Sequence, residues 1–465
     1  MSKYKICYPY VFDENEKKAF DEMDRISRSF ASRGAVDPIK LVRGEYPKDT
    51  PGIAGPVVID KSIMEYYHNK YLPDFPLYHD SEYAKSLGYK DIPAIMTIVA
   101  YEHLYQITVP VPARDEFVAS NLWRKVTSIK PIYAGDTIWF TVDYYNWKDL
   151  TPESGSEFRT ISMYCGGSMY NQDGELVSKM DMKWFENLRT YVGEKPDNIM
   201  PFVRVNWQDR EDHYYTDSDW EKMRQIWATE NPRGGEVLYW DDVNIGDRPN
   251  PTLDGPFDDT PNPTDPWGPG VGGSRSLRRE YMDPEIFKTM VRNPYDGIYR
   301  LPKRSMSFPE IPASMKATFS AGGGFGELSF ASNDDPTCEP PPRAIFINFF
   351  GRDVALRHFQ NWMGDHGILR DISWGIMNRK CFENIGYHFP DDPEIPDFLS
   401  VIPEMKDVVP VHGLERDVML IKSQVFDKLV VNGEHQVKLA WWIETIDGLV
   451  YESGHATVAL PKRPQ

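Results

Sequence analysis

A chain of 465 residues is longer than one ordinary hydrophobic core can organise, so two or three domains are expected. Lys and Arg total 52 against 70 Asp and Glu, a net charge of −18, and so acidic a balance argues against nucleic acid, whose binding rests on cationic patches. Cys7, Cys165, Cys338 and Cys381 are scattered with no CxxC pair, which excludes a cysteine zinc site and argues against a disulfide framework. The N-terminus MSKYKICYPYVFDENEKK has no apolar targeting core, and no run reaches the roughly 18 apolar residues of a membrane span. A soluble, cytoplasmic protein without a membrane partner is expected.

Residues 13–34 read as a polar helix that starts among acidic residues and stops at Gly34. KSIMEYYHNKYL (61–72) reads as a second helix ended by Pro73. FPLYHDSEYAKSLGYKDIPA (75–94) combines an aromatic-proline turn, a His-Asp pair and a short helix closed by glycine. IMTIVAYEHLYQI (95–107) is apolar enough for a buried helix. From 117 to 189 alternating apolar residues predict antiparallel strands, with turns at Ala134-Gly135-Asp136 and Asp173-Gly174.

Residues 190–300 change character. RGGEVLYWDDVNIGDRPNPTLDGPFDDTPNPTDPWGPGVGGS is dense in Pro, Gly and Asp, and reads as an extended connector pinned to the surface by Tyr239, Trp240, Phe257 and Trp267. AIFINFF (344–350) is strand-like, and residues 352–377 give a long helical pattern interrupted by MGDHG. Three more alternating segments close the chain, with a hairpin turn at Ile446-Asp447-Gly448-Leu449. Helix followed by antiparallel strands occurs twice, which predicts a duplicated α+β fold.

These segments resemble the MaoC-like acyl dehydratases, a branch of the hotdog superfamily. The resemblance lies in residues 75–97, KPIYAGDTI (130–138), RGGEVLYWDDVNIGDRPNPTLDGPF (233–257), NWMGDHGILR (361–370) and GHATVALP (454–461). It implies a double hotdog: an extension over 1–54, an N-terminal hotdog over 55–190, a connector over 191–300 and a C-terminal hotdog over 301–465. It also implies an acyl-CoA substrate at the junction of the hotdogs, no cofactor beyond that thioester, and monomer or homodimer assembly. The implied reaction is hydration or dehydration, with an Asp and a His holding water over an enoyl thioester.

The family's motif runs Asp, two residues, Pro, one residue, His. Counted from Pro76, those positions are Pro73 and Tyr78, with His79 one residue late. The first copy is therefore expected to be the non-catalytic half, opened for a bulky acyl chain. No intact motif appears in the second copy, where residues 312–342 stand in its place.

Asp365, His366 and Gly367 are the first candidates, as acid and base with the Gly367 N–H stabilising an oxyanion at an expected helix start. The plain alternative makes Asp365 a helix cap and His366 a solvated neighbour. Tyr78 and His79 are second candidates, as donor and base, with Asp80 either lining the site or capping the helix after it. Arg352 and Trp362 are further substrate-contact candidates, and Arg275, Arg278, Arg279 and Arg352 are the basic candidates for a CoA phosphate. His358 reads as a satisfied core histidine. The glycines of GGGFG (322–326) read as a loop near the ligand, and Asp241, Asp242 and Asp247 as turn residues in place of a cation site. A thioesterase with Asp365 as base or nucleophile, and a non-catalytic acyl-CoA-binding subunit, stand as alternative functions.

Overall fold

The structure is a computed structural model that describes residues 14–98, 117–149, 158–189, 210–256, 278–300, 336–340, 351–375, 397–411, 413–414 and 416–464. Its described residues fall into two compact units, one within Met1–Ile59, Val99–Asp209 and Met377–Asp397, the other within Asp60–Ile98, Arg210–Ile376 and Phe398–Gln465.

The first unit begins with α1 (Glu14–Arg33), which Gly34 ends at φ +72. The helix is polar in outline, yet Phe20, Met23, Ile26 and Phe30 recur at helical spacing and are buried. After the short α2 (Pro38–Val42) come β1 (Ile53–Val58), β2 (Phe117–Ser128), β3 (Thr137–Asp149), β4 (Phe158–Tyr170) and β5 (Leu176–Arg189). All pairings are antiparallel, in the order β1-β3-β4-β5-β2. The buried stripe of α1 meets β3: Phe20 stacks on Trp147 with ring centres 5.0 Å apart, and Ser27 Oγ donates to the Tyr145 carbonyl at 2.8 Å. The expected turns form, Asp136 accepting from the Tyr133 amide at 2.8 Å and Asn171 from the Glu175 amide at 2.9 Å.

The second unit holds α3 (Lys61–Tyr71), α4 (Ser81–Ser86), α5 (Asp217–Thr229), β6 (Thr252–Asp254), α6 (Arg278–Met282), α7 (Pro284–Phe287), the small ribbon β7 (Val291–Arg292) and β8 (Tyr299–Arg300), α8 (Gly351–Met363), β9 (Ile368–Gly375), β10 (Met419–Val431), β11 (Glu434–Glu444) and β12 (Val450–Ala459). Its main sheet is antiparallel in the order β6-β10-β11-β12-β9. In both units the sheet therefore runs first, third, fourth, fifth, second strand. α8 lies against β6, β9 and β10 and buries Val354, Ala355, Phe359 and Met363.

Two expectations are corrected here. Residues beyond MGDHG form strand β9 and do not continue a helix, because Gly364 turns the chain at φ +68. Much of the segment read as a surface connector is core. α5 is closed at its start by a Thr216/Asp219 capping box. Trp220 and Trp227 are 1% exposed and pack with Tyr215, Leu253, Tyr281, Ile298 and Val418. Composition dense in Pro and Gly hid these rings because a few aromatics bury as much area as many aliphatic residues. The helix expected over 95–107 lies mostly outside the described residues. The strand over 344–350, the loop 322–326 and Phe257, Trp267 and Arg275 lie wholly outside them.

Candidate functional site

α3, α4 and the end of α8 bring polar groups together in the second unit. Between α3 and α4, residues 76–78 form one 3-10 turn, begun by Pro76 with its preset φ. Asp80 then caps α4, its carboxylate accepting from the amides of Glu82 at 2.9 Å and Tyr83 at 3.0 Å. That is the capping role. His79 is exposed, and its Nε2 lies 2.9 Å from the Leu72 carbonyl.

Asp365 lies at the end of α8 and not at a helix start. Gly364 stops the helix, and a Cβ there would sit 2.9 Å from the Gly234 carbonyl. That carbonyl accepts the Asp365 N–H at 2.8 Å. Arg233 closes the helix end, its Nε donating to the Trp362 carbonyl at 2.7 Å and its amide to the Asn361 carbonyl at 3.2 Å. A helix C-terminus carries partial negative charge, so the dipole favours a cation such as Arg233 here and gives Gly367 no help with an oxyanion.

The Asp365 side chain is 2% exposed and accepts from two neutral donors. Tyr83 donates to its Oδ2 at 2.8 Å, and Gln360 Nε2 donates to its Oδ1 at 2.8 Å. Gly235 leaves room for the tyrosine, since a Cβ there would lie 2.9 Å from the Tyr83 hydroxyl. The Tyr78 hydroxyl reaches the Oε1 of the same Gln360 at 3.4 Å. A hydrogen-bonded chain thus runs Tyr78, Gln360, Asp365, Tyr83. Burial and the carboxylate push the Tyr83 phenol up to about 12, and burial raises the Tyr78 phenol further, with Tyr89 and Asp365 adding to it. Both phenols stay protonated donors near neutral pH.

His366 is exposed, Trp362 is half-buried and Gly367 is buried against Met363. Arg352 falls in the first turn of α8, its side chain outside the described residues. Sequence reasoning did not single out Tyr83, Gln360 or His68.

Two other polar groups are core. His358 is wholly buried, with Nδ1 3.1 Å from Thr252 Oγ1 and Nε2 2.8 Å from Ser423 Oγ, and burial lowers its pKa to about 3. Ser and His at this distance resemble a nucleophile and base, but all three side chains are sealed under α8. Arg357, also on α8, donates to Asp254 at 2.7 Å and lies 3.3 Å from Glu230, which is in turn 3.5 Å from Arg278. Arg278 reaches Asp74 at 3.3 Å, so it pairs with carboxylates of its own unit. Asp247 accepts from the Asn244 amide at 2.7 Å, Asp241 from the Arg463 amide at 2.9 Å, and Asp242 pairs with the Arg463 guanidinium at 2.7 Å. These are turn and ion-pair roles. Among the described residues, no helix is long and apolar enough to cross a membrane.

No family model matches the chain, and no curated protein matches it. Solved structures do resemble it. A MaoC-domain protein of Chloroflexus aurantiacus aligns at 13% identity over 90% of this chain and 100% of that one, with a TM-score of 0.42. A MaoC-like dehydratase aligns at 12% identity over 89% of this chain and 98% of its own, with a TM-score of 0.44. A conserved hypothetical protein of Mycobacterium tuberculosis with a double hotdog fold aligns at 11% identity over 90% and 97%, with a TM-score of 0.41. With one strand order used twice and a helix laid on the second sheet, the described residues form an α+β fold built on a repeated antiparallel topology.

Proposed function

We propose that this protein is a hydro-lyase that adds water to, or removes it from, an acyl thioester, with an enoyl-CoA or 3-hydroxyacyl-CoA bearing a bulky acyl group as substrate. The observation that carries the reading is the Tyr78–Gln360–Asp365–Tyr83 chain. Tyr78 stands at the position where the motif that the sequence resembles has its histidine. Its phenol is a protonated donor, suited to a thioester oxygen that gains charge as water adds to Cβ. Asp365 acts through Gln360: the carboxylate holds the amide NH2, and the amide oxygen, 3.4 Å from the Tyr78 hydroxyl, is a weak acceptor that a thioester oxygen would displace. No cofactor is needed, because proton transfer alone completes the reaction.

The test is a panel of straight, branched and aromatic enoyl-CoA and 3-hydroxyacyl-CoA esters, followed by thioester absorbance. Loss or gain of the enoyl absorbance supports the reading; no change with any ester sinks it. Hydrolysis is the second reading, favoured by the carboxylate of Asp365, and thiol release in the same panel distinguishes it. Pro73 and Tyr78, standing where an Asp and a His are expected, favour a third, a non-catalytic acyl-CoA-binding subunit. Tight ester binding with neither turnover would support it.

A further inference from the structure

The turn that presents Tyr78 is held down by apolar packing. Phe75 and Leu77 are buried on either side of Pro76, and the Tyr78 ring rests against His68 of α3 with ring centres 5.1 Å apart. Burial of this kind is non-directional, so it anchors the turn without aiming it. The one polar contact of the Tyr78 hydroxyl with α8, to Gln360, is 3.4 Å long and weak.

A second link joins the same two elements. Asp74 stands at the start of the turn, and Arg357 stands one helical turn before Gln360 on α8. The charges between them are continuous: Asp74 lies 3.3 Å from Arg278, Arg278 lies 3.5 Å from Glu230, and Glu230 lies 3.3 Å from Arg357. The inner end is dry and fixed. The Glu230 and Arg357 side chains are 2% and 4% exposed, the Leu253 amide donates to Glu230 Oε1 at 2.8 Å, and Arg357 donates to the Leu253 carbonyl at 3.0 Å. Arg278 presents Nε to Glu230 and Nη1 to Asp74, so one planar fork joins the inner acid to the outer one. An exposed ion pair alone would hold little, but the Arg278 side chain is only 18% exposed and is seated from inside by a desolvated carboxylate. The turn is thus tied at both flanks: Asp74 before it to Arg278, and Tyr83 after it to Asp365.

Resting on the hydro-lyase reading, we propose that Arg278 is a positioning residue of this site, which through Asp74 sets the turn carrying Tyr78 at a fixed distance from α8. The link matters most with substrate bound. A thioester oxygen that takes the Tyr78 hydroxyl displaces Gln360, and the charge bridge then keeps the phenol aimed.

Chains labelled with 3-fluorotyrosine report the Tyr78 ring without any ester, its signal identified by its loss in Tyr78→Phe. Arg278→Gln is expected to shift that signal. Asp74→Asn, which spares the dry carboxylates, should shift it the same way. In turnover, Arg278→Gln is expected to lower kcat roughly 10-fold with KM within about three-fold, since a small misplacement of a reacting group is costly. Added to Tyr78→Phe, it should lower kcat no further, because no phenol is left to aim. A Tyr78 signal unmoved by both variants overturns the proposal. So does a Tyr78→Phe chain as fast as the wild type, or a loss in Arg278→Gln that multiplies with that of Tyr78→Phe, as a merely structural role would give. Turnover absent from the wild type on every ester sinks the hydro-lyase reading and the catalytic role of Arg278 with it, and the fluorine signal tells that failure from failure of the bridge.

Discussion

Tyr83 donates its hydroxyl to the buried Oδ2 of Asp365 at 2.8 Å, joining two segments 282 residues apart in sequence. The bond ties the short helix after the Pro76 turn to the end of α8. Tyr83→Phe keeps the ring and removes the donor, leaving a carboxylate oxygen dry and unpaired. A loss of about 1–3 kcal/mol is expected, read from urea unfolding of the second unit. An unchanged midpoint would mean that water replaces the phenol.

The same carboxylate separates two placements of the chemistry. Tyr78→Phe is expected to lower the hydration rate roughly 10²-fold, the usual effect of removing one donor to a developing oxyanion. Asp365→Asn should act more weakly and through Gln360, raising KM as well as lowering kcat. His366→Ala, at an exposed residue, should leave the rate within about three-fold; a loss of roughly 10²-fold there would move the acid–base work to His366.

His358 gives a pH prediction whose sign is fixed by its burial. Its ordinary pKa is 6.5 and its folded value is about 3, so the fold favours the neutral ring. The unfolded chain takes up a proton as pH falls through 6.5, and the folded chain does not follow until about 3. Stability is therefore full above pH 6.5 and falls across the window from there to about 3. Urea midpoints measured down that range should decline, and His358→Gln should flatten the decline while lowering stability overall. His68 contributes in the same direction over the window from 6.5 to about 4.

Arg357 balances Asp254 and Glu230 in a nearly dry interior. Arg357→Met removes the cation and leaves two buried carboxylates, so a cost of about 3–5 kcal/mol is expected in urea unfolding. Arg357→Lys should not rescue it, because an ammonium cannot reach both acids and the Leu253 carbonyl in one plane.

The repeat was legible because period-two alternation and Asp-Gly turns survive in both halves. α1, α3 and α4 were legible from Gly34, Pro73 and Asp80. The site was less so. Gly beside Asp365 reads equally as the start or the end of a helix, and only the positive φ of Gly364 decides it. Gln360 and Tyr83 carry no motif; their meeting is a product of tertiary packing. His68 is one polar letter in a helical stretch of mixed character, and its burial beside Tyr78 is a product of tertiary packing.

In the second unit the third, fourth and fifth strands are joined by short turns, as are the fourth and fifth of the first, while the first and second strands stand at the two ends of each unit's strand order. Such a meander closes small loops, whereas the strands at the two ends must be fetched from far along the chain. The order of acquiring protection against hydrogen exchange should follow from this. β3–β5 and β10–β12 are expected to be protected first within their units, with β1, β2, β6 and β9 added late. The α8 helix end then takes up its position only after β6 and β9 are seated, so assembly of the polar chain around Asp365 marks the completion of the second unit.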